Sequence, residues 1–206
     1  MLVVQNLVDP GSRRLAAAYA REYRLAADQI ATIAVPNGET IGRKAYRERI
    51  EEPVRRHLPR TGRTRETDFI LLTRGVPLRV RETGGSVDAL LAAMELPVPA
   101  PRRRDPASLA RAANPYFGAE EPFRHARYGL YLVTRLDGYT ERQARDLLRR
   151  ARAARPVCGP FLIDLDPSKT TGGYGVVTAS MGRAGRLLAA RGFDARVDST
   201  AAFAAL

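Results

Sequence analysis

The chain of 206 residues contains a single cysteine, no tryptophan, two histidines and only two lysines. One cysteine, Cys158, excludes an internal disulfide and suits a reducing compartment. His57 and His125 stand at spacings that pair neither with Cys158, so no nucleophile and base can be read from the sequence. No apolar run approaches the ~20 residues that span a bilayer, and the opening LVVQNLV is too short and too uncharged for a signal peptide. These absences predict a soluble protein, cytoplasmic by default, with export left to a signal upstream of Met1. The lack of tryptophan, with aromatics not interleaved among basic residues, leaves no platform on which bases could stack.

Charge is what the chain has in excess. The net charge is +12, and the two lysines, Lys44 and Lys169, leave 32 arginines among 34 basic residues. The arginines run through every predicted helix but that over 87–96, and Arg102-Arg103-Arg104 is the one compact run. An arginine-for-lysine bias beside abundant alanine reads as genome composition. Specific nucleic-acid binding is therefore not expected, although non-specific adhesion at low salt is.

Hydrophobic residues make up 45% and charged residues 27%, enough for a substantial core. Short apolar runs alternate with amphipathic segments. Strands are predicted over 2–5, 30–35, 69–72, 129–133, 161–165 and 193–197. Helices are predicted to about Tyr23, over 40–58 with a break at Pro53, over 87–96, from Thr140, and over 178–191 ending at Gly192. Thr140 and Gln143 form a capping box. The alternation predicts a three-layer α/β fold, with a mostly parallel sheet of about six strands and helices on both faces, in caspase-like or flavodoxin-like order. The expectation is one domain over 1–206, with an irregular inserted loop at 97–128.

In open parallel sheets, ligands bind past the carboxyl ends of the strands. The stretch DFILLTRGVPLRV, Asp68–Val80, places Thr73 and Arg74 there, and VTRLDG places Arg135 and Asp137 at a second such end. If the two strands are neighbours, both arginine forks meet at one edge and suit a carboxylate or phosphate. The alternative is that each arginine pairs with a local acid. Ser86 caps a short helix whose first turn holds Asp88, either as a favourable dipole charge or as a ligand contact. Asn114 and Tyr116, in NPYFG, complete the candidate ligand-binding set. The partner expected is an anionic ligand or a protein.

Other groups carry less. Asp164 and Asp166 flank a strand end, but acidic turns are too common to indicate a metal. PSKTTGGYG has its lysine before the glycines, unlike a P-loop, and reads as a flexible loop. No metal and no cofactor is expected, and no catalytic residue is assigned.

Five phrases in order, VVQN, DFILLTRGVPLRV, GGSVDALL, NPYFG and LYLVTRLDGYT, resemble the markers of an uncharacterised bacterial protein family. That family is in turn distantly similar to gingipain-type cysteine peptidases, whose catalytic domain is caspase-like. The resemblance implies a hydrolase-like domain and a longer carboxyl end, so this chain reads as a candidate for a truncated member. The His and Cys of the peptidase dyad have no matching residues here, and the alternative is a non-catalytic ligand- or protein-binding module with an arginine-lined site.

Overall fold

The computed structural model describes all residues except 61, 63–65, 83–84, 97–113, 117, 156–158 and 201–206. The chain divides into two compact units, Met1–Ala153 and Ala154–Leu206. The described residues of the first unit hold six strands: β1 (Leu2–Asn6), β2 (Ile30–Ile33), β3 (Thr40–Ile41), β4 (Phe69–Thr73), β5 (Arg79–Val80) and β6 (Leu132–Leu136). The four longest form an all-parallel sheet in the order β2-β1-β4-β6. Counted along the chain these are second, first, third and fourth, the opening of the flavodoxin-like order. β3 and β5 pair in a small parallel sheet of their own.

Alternate residues of a strand face opposite sides, and each side here meets its own helices. Leu2, Val4, Ile70 and Leu72 pack with Tyr46, Ile50, Val54 and Leu58 of a continuous helix over 43–60, and with Val87 and Leu91 of α4 (Val87–Ala92). Val3 and Leu71 pack instead with Leu15 and Ala16 of α1 (Pro10–Tyr23) and with Ala144 and Leu148 of a helix over Glu141–Ala153. The result is a three-layer α/β arrangement, as the periodicity predicts.

Local signals explain the helix ends. Asp9 accepts from the backbone N–H groups of Gly11 and Ser12, and Pro10 occupies the first turn, where its missing N–H costs nothing. The helix over 43–60 consists of α2 (Arg43–Tyr46), a π-helical segment (Arg47–Glu51) and α3 (Glu52–Arg60). The break predicted at Pro53 takes the form of this widened turn just before it, which accommodates a ring that cannot sit against a regular preceding turn. A short helix α5 (His125–Tyr128) closes on Gly129 at φ 66°, so β6 starts three residues later than the pattern suggests. Glu141–Ala153 is α6.

The second unit holds β7 (Phe161–Asp164), α7 (Gly172–Ala190) and β8 (Ala195–Asp198), with the two strands parallel. A Cβ at Gly185 would lie 2.7 Å from Val197 Cγ2 and 2.9 Å from Ile163 Cδ1, so a glycine lets the helix lie on the strands. α7 begins at Gly172, six residues before the predicted start, and absorbs most of the glycine-rich stretch expected as a loop. Gly175 N–H bonds Thr171 O at 3.0 Å, and a side chain at Gly175 would strike the Thr170 carbonyl.

Candidate functional site

The strand order changes direction between β1 and β4: from β1 the chain goes outward to β2, then returns to β4 on the other side. At such a switch point the loops leave in opposite directions and a crevice opens. Here a cleft of ≈ 530 Å³ is lined by Asp9, Asn37, Gly38, Glu39, Arg74, Gly75, Val76, Leu78, Asp137, Gly138 and Tyr139.

Two buried devices hold its loops. Asn6 is completely buried at the end of β1. Its amide nitrogen donates to Val35 O and to Gly75 O, both at 2.9 Å, and its Oδ1 accepts from Val8 N–H at 3.2 Å and Val35 N–H at 3.1 Å. One side chain thus ties together the loops after β1, β2 and β4. Beside it runs a hydrogen-bond relay. Asn6 N–H donates to Ser12 Oγ at 2.8 Å, Ser12 Oγ lies 2.6 Å from Thr73 Oγ1, and Thr73 donates to Val4 O at 3.0 Å. Since Thr73 spends its proton on Val4, Ser12 must donate to Thr73. Each hydroxyl both donates and accepts, and Thr73 is fully buried beneath the cleft.

Arg74 follows Thr73 and opens on the cleft with its side chain 36% exposed. Its Nε donates to Gly138 O at 3.2 Å and its Nη2 reaches Tyr139 O at 3.5 Å, while Nη1 stands 3.8 Å from Asp9 Oδ2. It therefore draws the loop after β6 across the crevice. Gly75 has φ 91°, and a Cβ there would fall 2.5 Å from Asp9 Oδ2, so only glycine lets the Asp9 carboxylate lie against this turn. Asp137 accepts from Gly138 N–H at 2.7 Å and shapes the same loop.

Arg135 lies elsewhere. The register pairs Thr73 with Leu136 and Leu72 with Arg135, so Thr134 and Arg135 are inside β6 and not past its end. The apolar pattern begins at Gly129, but Gly129–Tyr131 lead in from α5 and the strand runs on to Leu136. Arg135 grips Asp88 through Nε at 2.8 Å and 2.9 Å and through Nη2 at 2.6 Å. Its Nη1 and Nη2 also donate to Val76 O and Pro77 O at 2.8 Å and 2.7 Å, supporting the turn that walls the cleft. Asp88 is thus the ion-pair partner of Arg135 in the first turn of α4, where Ser86 caps by accepting from Ala89 N–H.

Asn114 and Tyr116 sit at the amino-terminal end of β6. The Asn114 side chain accepts from Tyr116 N–H at 3.0 Å, and Tyr116 packs on Phe123 and on Tyr128, which precedes β6. The seven candidate residues accordingly separate: Arg74 and Asp137 line the cleft, Thr73, Asp88 and Arg135 lie around it, and Asn114 and Tyr116 are at the other end of the sheet. The cleft residues Asp9, Asn37, Glu39 and Tyr139 escaped the sequence reading. The Pro36-Asn37-Gly38 turn follows β2 and so satisfies the same strand-end rule that singled out Arg74.

The remaining reactive groups are engaged. His125 is buried against Tyr131, with ring centroids 3.9 Å apart, its Nδ1 on Leu130 O and its Nε2 3.3 Å from Glu95. His57 Nε2 contacts Asp28 O at 2.7 Å. Asp166 turns back on Ser168, which holds its carboxyl below the usual range. Cys158 and Arg102–Arg104 lie outside the described residues. Near the cleft, Glu141 opens α6 between Arg14 and Arg145, and their hydrogen bonds lower its carboxyl to about 2. Among the described residues no group of three or more His, Cys, Asp or Glu converges closely enough to hold a metal ion, and no helix is long and apolar enough to cross a membrane. No protein-family model, curated protein or solved structure matches the chain.

Proposed function

We propose that this chain is a ligand-binding α/β domain whose cleft at the β1/β4 switch point takes a small organic molecule bearing a basic nitrogen. The observation that carries this reading is the balance of charge in the lining: three carboxylates, Asp9, Glu39 and Asp137, against one guanidinium, Arg74. Arg74 already faces two carbonyls and Asp9, and the second arginine, Arg135, is spent on Asp88, Val76 and Pro77. An anion would find one partly engaged fork. A cation would find acceptors on several sides, too dispersed to chelate a metal ion but suited to an ammonium or guanidinium group.

The net charge of +12 does not oppose this. At physiological ionic strength the screening length is ~8 Å, so distant arginines contribute little. A contact at ~4 Å contributes about 1 kcal/mol in bulk water and about 4 kcal/mol near a protein surface. The local carboxylates decide. The hydrolase-like reading has one observation in its favour, the parallel strand order, and needs a nucleophile and base that His57 and His125, held as they are, do not supply.

Thermal shift with agmatine, putrescine and arginine amide, set against phosphate, citrate and nucleotides, tests the proposal. A cation at a hundred times its Kd stabilises the native state by about 2.7 kcal/mol, which raises Tm by roughly 5–10 °C in a protein of this size. The shift should shrink in Glu39→Gln, whose carboxylate makes no hydrogen bond among the described residues, so that the fold survives the change. Stabilisation by anions alone, or a cation shift untouched by Glu39→Gln and Asp137→Asn together, overturns it.

A further inference from the structure

The arginines are not evenly spread over the folded surface. α1 and α6 lie side by side on one face of the sheet, and the groove between them, ≈ 230 Å³, is lined by Ala18, Arg21, Glu22, Arg145, Leu148, Arg149 and Arg152. Four arginines thus face one glutamate. The other basic helix, over 43–60, offers a different balance: its surface cleft sets Arg43, Lys44 and Arg47 against Glu48, Glu52 and Glu82. Composition alone would have made both grooves alike. Arg13, Arg14, Arg24, Arg142 and Arg150 are exposed on and beside the same two helices and extend the positive field.

Pairing in the groove is partial. Arg152 meets Glu22 at 2.6 Å, Arg145 meets Glu141 at 2.9 Å and Arg149 meets Asp146 at 3.2 Å, all with exposed or half-exposed side chains. Exposed pairs of this kind contribute little and open readily to a stronger anion. Arg21 has no ion-pair partner among the described residues.

We infer that the α1/α6 groove binds the phosphate backbone of a nucleic-acid duplex without reading its sequence. Arginine forks match phosphate oxygens, and the two helices, about 20 Å long at 1.5 Å per residue, span the phosphates of several base pairs. No aromatic side chain lines the groove, which leaves single strands nothing to stack on. Its apolar residues are Leu148, buried against the sheet, and the small, half-buried Ala18, so no large side chain lining the groove can insert into a membrane. The inference is independent of the cleft at the strand ends.

The test is fluorescence anisotropy of a labelled DNA duplex of about 20 base pairs, roughly two helical turns, titrated at several salt concentrations. With about four phosphates neutralised, log Kobs should fall with log salt at a slope of about −4, and affinity should drop on the order of 100-fold between 50 and 200 mM salt. Arg21→Gln/Arg149→Gln should reduce the slope by about 2 and weaken binding at least ~10-fold, with Tm and circular dichroism unchanged. Arg47→Gln/Arg49→Gln removes the same charge elsewhere and should change affinity less than ~2-fold. Equal losses in both double variants would show that net charge alone binds and would overturn the groove. So would tighter binding to the matching single strand, or groove-dependent binding to phosphatidylserine vesicles without binding to the duplex.

Discussion

Arg135→Met should destabilise the first unit by about 2–3 kcal/mol, because it removes one partner of a largely buried ion pair and leaves the other behind. The Arg135 side chain is 14% exposed and that of Asp88 30% exposed. Breaking a fully buried pair costs about 3–5 kcal/mol, and the partial access of water to Asp88 reduces this. Two carbonyls, Val76 O and Pro77 O, also lose their donors. Restoring the balance with Arg135→Met/Asp88→Leu should recover most of the loss, since replacing both partners by apolar groups leaves no stranded charge. Urea unfolding followed by far-UV circular dichroism measures the four corners of this cycle, and the coupling should be at least ~1 kcal/mol. A single-variant loss below ~0.5 kcal/mol, or additive effects, would refute the claim that Arg135 is structural. Loss of ligand binding in Arg135→Met with stability intact would refute it more directly and return Arg135 to the binding set.

Three further outcomes test the frame of the cleft. Thr73→Val deletes the acceptor of Ser12 and the donor to Val4, and should cost about 1–3 kcal/mol in chemical denaturation, whereas adding Ser12→Ala should cost less than the sum. Gly75→Ala forces a side chain into the left-handed region against Asp9; Tm should fall by an amount equivalent to at least about 1–2 kcal/mol. Glu141 has a carboxyl depressed in the folded state, so its stabilising effect is present above the unfolded value near 4.5 and lost as pH falls toward about 2. Glu141→Gln should therefore lower Tm at pH 7 and converge with the parent below about pH 2 in a thermal-melt series.

The fold was legible because its strongest signals are short-range. Phe69–Thr73 alternates its inward faces so regularly that one five-residue run contributes to both cores. Ser86 announces one helix start, and Thr140 with Gln143 announces another within four adjacent residues. What escaped the sequence reading depends on distance or register. Asp88 lies 47 positions from Arg135, and no local pattern joins them. Asn6 reads as a turn residue, yet both donors of its amide nitrogen are spent on carbonyls 29 and 69 positions away. The glycines at 172, 173 and 175 read as a loop because propensity disfavours them in helices, yet a Cβ at Gly175 would strike the Thr170 carbonyl, so this first turn requires glycine. Of the cleft acids, Asp137 was legible from its place past a strand end, while Asp9, which caps α1, and Glu39 carry no local signal of a site.

Register also explains why two copies of one dipeptide behave differently. Thr73-Arg74 and Thr134-Arg135 occur in adjacent parallel strands, and both threonines occupy positions of the same parity as Leu71 and Leu136, on the α1/α6 side. Had the strands ended level, both guanidiniums would have emerged together and formed the anion site that the repeat suggests. The pairing of Thr73 with Leu136 instead sets Arg135 two residues deeper than Arg74 along the common strand direction. Arg74 follows the last rung, its N–H on Leu136 O at 3.0 Å, and its side chain is free to cross the crevice. Arg135, opposite Leu72, cannot reach that space and would be a buried cation without Asp88 and the two carbonyls beside it. A shift of register by two residues would bring the two arginines level. The charge of the cleft therefore follows from the register of β6 against β4, which leaves one guanidinium instead of two among three carboxylates.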